Sequence, residues 1–394
     1  MAFFDEACAE HWYQDNSRSK TPIPDHVCQE IAHIGSLPVM KWAREKEFPW
    51  DGDVCKAAAK NGHLELLKWT RQNGCPWDGR TCHAAAKNGH LDTLKWAHEN
   101  GCPLEQWSMC SSAAKGGNVE ILKWVREKGC RWSTYTCSSA ASCGKLECLM
   151  WARAHGCPWG IHTCHKAAEH GHLEILKWAH ENGCPWDEDT CQHAAEGGHL
   201  EVLKWLRENG CPWASTTCEV AAEHGHLEIL KYAHENGCPW DAVTCCMAAV
   251  GGHVEVLKWA RENGCPWDSR TCTAAVEHVN PVCLKWAHEN GCTWDEETCN
   301  TAAENGYLEI FKWLHEKGCP WNADTCAVAA RHGHLAILKW AHENGCPWDE
   351  ETCAAAAAAD CEYHDIFNYA RENGCPVPRY LERWGEMDGR FLGH

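Results

Sequence analysis

The chain of 394 residues contains 31 cysteines and 25 tryptophans, and it carries a formal charge of −19. This acidic balance argues against binding to nucleic acid or to an anionic membrane surface, because both need Lys and Arg on the binding face. It favours a basic or polar protein as the partner. Full protonation of the 27 histidines would reverse the sign of the charge.

Residues 1–25 have neither a basic start nor a long apolar core, so we predict no secretory signal here. No stretch of the chain approaches the length of apolar sequence that a membrane span needs. A cysteine-rich chain without an export signal is expected to stay reduced, in the cytoplasm or the nucleus. We expect residues 1–25 to form an N-terminal cap on the segment that follows.

Between residues 26 and 375 the sequence repeats every 27 residues. One step, from Cys82 to Cys110, is a residue longer. A fixed period of this size predicts a solenoid, in which each repeat buries its apolar face against its neighbours. We number the repeats 1 to 13 by the cysteine that opens each one: Cys28, Cys55, Cys82, Cys110, Cys137, Cys164, Cys191, Cys218, Cys245, Cys272, Cys299, Cys326 and Cys353.

Each repeat predicts two short helices. In repeat 7, Thr190 is the expected N-cap of the first helix, and Gly197-Gly198 is the expected end, because glycine adopts a left-handed helix terminus without strain. The second helix follows and is predicted to end at Asn209-Gly210. No segment shows the alternation of a strand, so the fold is predicted to be all-α.

The sequence of repeat 6, AAEHGHLEILKWAHENGC, resembles the ankyrin-repeat consensus in the order and spacing of its residues. An ankyrin repeat usually has 33 residues. The missing residues fall between Gly210 and Ala221, where ankyrin proteins carry a β-hairpin finger. The resemblance therefore implies an ankyrin-like α-solenoid of about 13 helix-turn-helix units with shortened or absent β-hairpin fingers. Short repeats of this Cys-Pro-Trp type are similar to arrays in large DNA viruses and algae.

The C-terminal end departs from the period. Repeat 13 has Val377 in place of the tryptophan that follows Cys-Pro in most repeats. We predict that residues 376–394 form a C-terminal cap and tail.

Two cysteine columns run through the repeats. The first column opens the first helices, and the second follows the glycine after each second helix, from Cys75 to Cys375. Either column could serve metal or disulfide chemistry, or could supply small buried side chains. The resemblance places the columns at the ankyrin Leu and Ala core positions, and the seven-residue spacing of Cys184 and Cys191 is longer than zinc sites use. We therefore expect structural thiols and no cofactor or metal.

Tryptophans also form two columns, one in the second helices and one in the loops, and both are predicted to pack the array. Trp107 belongs to neither column. It lies in the one lengthened loop, where Leu104 replaces the loop tryptophan. Trp107 is thus either an exposed interface anchor or a side chain that fills the place left by Leu104.

The resemblance implies that partners contact the loops and the two residues before each Gly-His pair. Repeats 2 to 4 have lysine at the first of these positions and later repeats mostly have glutamate, which is either a binding surface or an ordinary solvated face. Repeat 10 departs from the pattern, with His278-Val279-Asn280 in place of Gly-Gly-His. The candidate binding residues are Lys60, Lys87, Trp107, Lys115, Glu169, His170, Glu196, Glu223, His224, Glu304, Asn305, Arg331 and His332.

No catalytic motif stands apart from the repeat, and the Gly-His histidines are expected to hydrogen-bond the backbone between helices. The sequence therefore predicts a monomeric, non-enzymatic scaffold for protein–protein interaction. A metal- or redox-responsive cysteine-rich protein is one alternative. The substrate-recognition subunit of a ubiquitin ligase, a role of some viral ankyrin-like proteins, is another.

Overall fold

The computed structural model describes residues 26–358 and 364–381. Within these ranges all regular structure is helical, with 26 helices arranged as 13 pairs and no strand. The prediction of an all-α array with about 13 helix pairs is confirmed. The N-terminal cap expected over residues 1–25 lies outside the described residues, as do residues 382–394 of the cap and tail expected over 376–394.

The first helices of the repeats are α1 (Val27–Ile34), α3 (Gly52–Lys60), α5 (Gly79–Lys87), α7 (Met109–Gly116), α9 (Thr134–Ser142), α11 (Ile161–Glu169), α13 (Glu188–Glu196), α15 (Ser215–Glu223), α17 (Ala242–Val250), α19 (Ser269–Glu277), α21 (Glu296–Glu304), α23 (Ala323–Arg331) and α25 (Glu350–Ala358). The second helices are α2 (Leu37–Glu45), α4 (Leu64–Gln72), α6 (Leu91–Glu99), α8 (Val119–Glu127), α10 (Leu146–Ala154), α12 (Leu173–Glu181), α14 (Leu200–Glu208), α16 (Leu227–Glu235), α18 (Val254–Glu262), α20 (Pro281–Glu289), α22 (Leu308–Glu316), α24 (Leu335–Glu343) and α26 (His364–Glu372).

The chain divides into two compact parts, Met1–Pro212 and Trp213–His394, which we call the N-terminal and C-terminal parts. Helices α1 to α14 belong to the first and α15 to α26 to the second. In each part, successive first helices pack side by side, and each second helix packs on the first helix of its own repeat. Each part is therefore built from the contacts between neighbouring repeats that a solenoid requires.

The first helix begins earlier than the sequence predicts. In repeat 7 the N-cap is Asp187, and Thr190 is the third residue of the helix, where the two side chains form a capping box. The expectation that Thr190 is the N-cap is therefore wrong. Asp187 and Thr190 each satisfy a backbone N–H that the first turn of a helix leaves unpaired. The predicted end is confirmed, since Gly198 follows α13 with a φ of 78°.

The core of each repeat is made of small side chains on the first helix and aliphatic ones on the second. In repeat 7, Cys191, Ala194 and Ala195 are buried on α13, and α14 buries Val202, Leu203 and Leu206. Small residues on the first helix let neighbouring repeats approach closely. At Gly197, a Cβ atom would lie 2.1 Å from the carbonyl oxygen of Glu169 in the preceding repeat.

No β-hairpin finger occurs in the described residues, and the loops between repeats have no regular structure. In eleven of the thirteen repeats a thiol joins the end of the repeat to its beginning. Cys102 donates its S–H to the carbonyl oxygen of Asp78, the residue before α5, over 3.2 Å. The same bond recurs along the second column at distances of 3.2 to 3.6 Å, and it ties the end of a repeat to its own beginning.

The Gly-His histidines join neighbouring repeats, as predicted. His90 Nε2 lies 3.0 Å from the carbonyl oxygen of Lys60, and His334 Nε2 lies 2.8 Å from that of Glu304. Both carbonyls end a first helix, where backbone oxygens lack helical partners. Because a carbonyl only accepts, Nε2 carries the proton in this arrangement. The histidine thus caps the first helix of the preceding repeat.

Candidate protein-interaction surface

Twelve of the thirteen candidate residues lie at the C-terminal ends of first helices, as the repeat pattern requires. The first residue of each pair is the last or the penultimate residue of its helix, and its side chain is exposed or half-buried. Where a histidine bridge is formed, as at Lys60 and Glu304, the backbone carbonyl is used and the side chain remains available to solvent. The repeat therefore presents one variable side chain at the same place on each first helix.

In repeats 2 to 4 these side chains are the exposed lysines Lys60, Lys87 and Lys115. None of the three forms an ion pair with a described residue. They form a basic stretch in the N-terminal part, as the sequence predicts.

An acidic cluster follows in repeats 6 and 7. Glu169 and Glu196 both approach His193, whose Nδ1 lies 3.8 Å from one carboxylate and 3.0 Å from the other. The Glu169 side chain also pairs with Lys166 on its own helix and is 24% exposed, against 40% for Glu196. The two carboxylates, on neighbouring first helices, are thus linked through one imidazole.

A buried histidine extends this cluster. His165 donates its Nε2–H to a carboxylate oxygen of Asp187 over 2.7 Å. The ring of His165 also lies 4.9 Å from that of His193, measured between centroids. Sequence reasoning missed both histidines because it considered only the two positions before Gly-His. Their signal was a histidine on the face that neighbouring first helices share.

In three of the candidate pairs the side chain of the second residue hydrogen-bonds the last turn of its own helix. The Nδ1 atoms of His170 and His224 lie 3.1 and 3.0 Å from carbonyl oxygens four residues earlier, and Asn305 donates its amide to the carbonyl of Thr301. These contacts satisfy the last turn of the helix. His170, His224 and Asn305 therefore have a capping role as well as an exposed surface.

In the C-terminal part, Glu223 ends α15 and Glu304 ends α21. The Glu304 carboxylate lies 3.7 Å from His332 Nε2, and Arg331 lies 3.4 Å from the carboxylate of Glu351. All of these groups except Glu223 are exposed, and Glu223 is half-buried. Exposed pairs at such distances contribute little to stability, so these charges remain available to a partner.

Trp107 does not fill the place left by Leu104. Its side chain is 70% exposed, and the guanidinium of Arg131 lies 4.6 Å from its ring centroid. Tyr135, in the next repeat, is 72% exposed. The expectation that Trp107 fills the place left by Leu104 is therefore wrong. Sequence reasoning missed Arg131 on its ring, and it missed Tyr135, which interrupts a position that holds polar residues in most repeats.

The tryptophan columns pack on one another, and apart from the buried Trp42 their described members are half-buried. In nine repeats the loop tryptophan lies edge-on or tilted to the second-helix tryptophan of the next repeat, with centroids 5.7 to 6.0 Å apart. An Arg or His from the preceding second helix covers its face, as Arg126 covers Trp132 at 3.9 Å and His288 covers Trp294 at 3.8 Å. The tryptophan columns therefore have a structural role.

All but two of the described cysteines are buried, and the exceptions are Cys143, which is exposed, and Cys246, which is half-buried. Burial raises the pKa of Cys28 to about 11 and that of Cys110 to about 12. The facing thiol of Cys184, together with burial, raises the pKa of Cys164 above its ordinary value. Since the thiolate is the reactive form, Cys28, Cys110 and Cys164 are poor nucleophiles and metal ligands at neutral pH.

The thiols that meet are not those that the sequence singles out. Spacing drew attention to Cys184 and Cys191, whereas the structure places Cys164 against Cys184 within repeat 6. Among the described residues no group of three or more His, Cys, Asp or Glu side chains is placed to hold a metal ion. In the same ranges no helix is long and apolar enough to cross a membrane.

Comparison with known proteins agrees with the geometry of the helix pairs. The family model described as "Ankyrin repeats (many copies)" matches residues 82–126 and 164–207. No curated protein matches the chain.

Two solved structures illustrate the range of resemblance. The human ASB11 ankyrin repeat domain is 20% identical, with a TM-score of 0.34, over 40% of this chain and 84% of that one. The pentatricopeptide repeat protein PPR10 in complex with an 18-nt psaJ RNA element is 15% identical, with a TM-score of 0.38, over 93% of this chain and 63% of that one. Both scores are too low to add to the assignment, which rests on the family model and the repeated helix pairs. Residues 82–126 and 164–207 match the ankyrin-repeat family, and the remaining described repeats have the same pairs of helices.

Proposed function

We propose that this protein is a non-enzymatic scaffold that binds a basic protein through the ends of its first helices. Ankyrin repeats are in general modules of protein–protein interaction. The observation that carries the proposal is the acidic cluster of repeats 6 and 7, in which Glu169 and Glu196 of neighbouring helices meet at His193. Carboxylates arranged in this way attract Lys or Arg side chains of a partner.

The change from lysine to glutamate at the first-helix ends of the N-terminal part supports a defined direction for the bound partner. The exposed lysines of repeats 2 to 4 lack ion-pair partners among the described residues, and the carboxylates begin at repeat 6. A basic partner is attracted to the acidic repeats and repelled by the basic ones, which fixes its direction along the array. Trp107, exposed on repeat 4, supplies apolar contact area to the same partner.

The test compares two pairs of substitutions in the same two repeats. E169Q/E196Q removes two charges from the first helices, and E174Q/E201Q removes two from the second helices, where each glutamate pairs with a lysine three residues later. Proteins captured from extract by wild type at low salt are quantified by mass spectrometry with both variants as bait. We expect wild type and E174Q/E201Q to capture a basic protein that E169Q/E196Q does not capture. Equal capture by both variants would show that the binding surface lies elsewhere.

A further inference from the structure

The second helix of repeat 10 lacks an ion pair that its neighbours have. In seven repeats a glutamate and a lysine three residues apart lie on the exposed face of the second helix, with N–O distances of 2.6 to 2.9 Å. In repeat 10, Val282 takes the place of that glutamate and is 63% exposed. Lys285 consequently has no carboxylate partner among the described residues.

The link that precedes this helix is also unusual. Val279 has a φ of 55°, at a position where other repeats have glycine with a φ of 70° to 83°. A β-branched side chain rarely adopts this conformation. Asn280 holds it in place, because its amide donates to the carbonyls of Ala249 and Val250 at 2.8 and 2.9 Å. Val279 is 48% exposed, so the strained residue presents its methyl groups to solvent.

A groove of about 260 Å³ lies between α20 and α22 beside these valines. Its surface is mostly apolar. Glu309 at its edge is already paired with Lys312 over 2.9 Å, which leaves Lys285 as the unpaired charge. The lining residues are Pro281, Leu284, Lys285, Glu309, Ile310 and Trp313.

We propose that this groove binds a segment of a partner protein that carries an apolar side chain next to a carboxylate, as an acidic amphipathic helix does. The apolar side chain fills the groove against Leu284 and Trp313, and the carboxylate pairs with Lys285. Apolar side chains spaced along one helical face are a common way to occupy a groove of this kind. This surface lies on the second helices, so the proposal is independent of the binding proposed for the first-helix ends.

Two single substitutions provide a matched test. V282E installs the residue that neighbouring repeats have, three positions before Lys285, and so recreates the ion pair seen at Glu255 and Lys258. A336E adds the same residue at the equivalent position of repeat 12, away from the groove. The probe is a displayed library of amphipathic helical peptides of about 14 residues, or four turns, with acidic, neutral and basic polar faces. Circular dichroism checks that both variants keep the helical content of wild type.

Panning on wild type is expected to enrich acidic peptides with an apolar face. The enriched peptide, labelled and titrated by fluorescence anisotropy, should bind V282E at least about tenfold more weakly than wild type and A336E less than about twofold more weakly, since only V282E pairs the ammonium of Lys285 and so withdraws it from the peptide's carboxylate. K285Q should also bind the acidic peptide more weakly than wild type does. Failure to enrich any peptide, enrichment of basic peptides, or equal losses in V282E and A336E would each overturn the proposal.

Discussion

In repeat 9 the link between the two helices contains Gly252-His253, and in repeat 10 the same positions are Val279-Asn280. Both repeats nevertheless have the same two helices and the same thiol bond, from Cys265 to Asp241 at 3.2 Å in one and from Cys292 to Asp268 at 3.3 Å in the other. The comparison shows which groups the fold needs.

The polar bridge survives the change from His to Asn, because Asn280 donates to the same helix-end carbonyls that histidine uses elsewhere. The left-handed bend survives as well, although Val279 adopts it with strain. What changes is the surface, where Val282 replaces the glutamate that pairs with lysine in repeat 9. A repeat therefore keeps its thiol, its bridge and its bend, and its outer face is free to vary.

The largest expected effect comes from crowding the bend of repeat 9. A Cβ atom on Gly252 would lie 2.6 Å from Oδ1 of Asn280, at a φ of 73°. We expect G252A to lower the free energy of unfolding by about 3 kcal/mol, from left-handed strain together with the clash. The control is G264A, at a φ of 86° with no atom within 4 Å. G264A should lower the free energy of unfolding by only about 1 kcal/mol, from strain alone. Equal losses for G252A and G264A in urea titrations would contradict the close contact at Gly252.

Removal of one second-column thiol should have a smaller effect. C265A deletes a buried sulfur and its bond to the Asp241 carbonyl, and we expect a loss of about 2 kcal/mol. C246A, at the half-buried cysteine next to Cys245, should change stability by less than about 0.5 kcal/mol. Both are measured by urea denaturation under reducing conditions. A loss from C265A no greater than that from C246A would mean that the thiol bond does not close the repeat.

Alkaline pH should reveal the buried thiol of Cys283 in α20. Burial raises its pKa from an ordinary 9.0 to about 11. Below pH 9 the thiol is neutral in the folded and in the unfolded protein. Between pH 9 and about pH 11 it loses its proton only in the unfolded chain, so unfolding is favoured. C283V has the residue that repeat 9 has at this position. Its free energy of unfolding should therefore rise by about 1 kcal/mol relative to that of wild type between pH 7 and about pH 10. A difference that does not depend on pH would contradict the shift.

The smallest effect is expected from relieving the strained bend of repeat 10. V279G gives this position the residue of the other repeats and should raise stability by about 0.5 to 1 kcal/mol, because the relieved left-handed strain exceeds the flexibility that glycine adds to the unfolded chain. Thermal unfolding of V279G and wild type provides the measurement. Destabilisation by V279G would indicate that Val279 packs favourably despite its backbone.

The sequence predicted the fold closely because the period fixes the helices, and Gly198 and Asn209 mark their ends. It placed the N-cap of the first helix at Thr190 because a capping box has two polar residues, and only the backbone shows which one precedes the helix. The pairing of Cys164 with Cys184 could not be predicted, since it depends on how the loop returns to its own repeat.

The candidate surface was predicted less completely. The positions at the helix ends follow from the resemblance to ankyrin repeats, and the structure shows Lys60 and Glu304 exposed there. The meeting of Glu169 and Glu196 at His193 depends on the distance between neighbouring helices, which composition does not give. Roles for these residues in binding remain predictions.

We infer that the two cysteine columns hold the repeats together and perform no chemistry. The decisive experiment alkylates the native protein, isolated without reductant, and maps the modified cysteines by mass spectrometry. Among the described cysteines, Cys143 should be modified rapidly and Cys246 slowly, and the two columns only after unfolding. Modification of the columns at the rate of Cys143, or their recovery as disulfides or with bound metal, would contradict the claim and favour a redox- or metal-responsive protein.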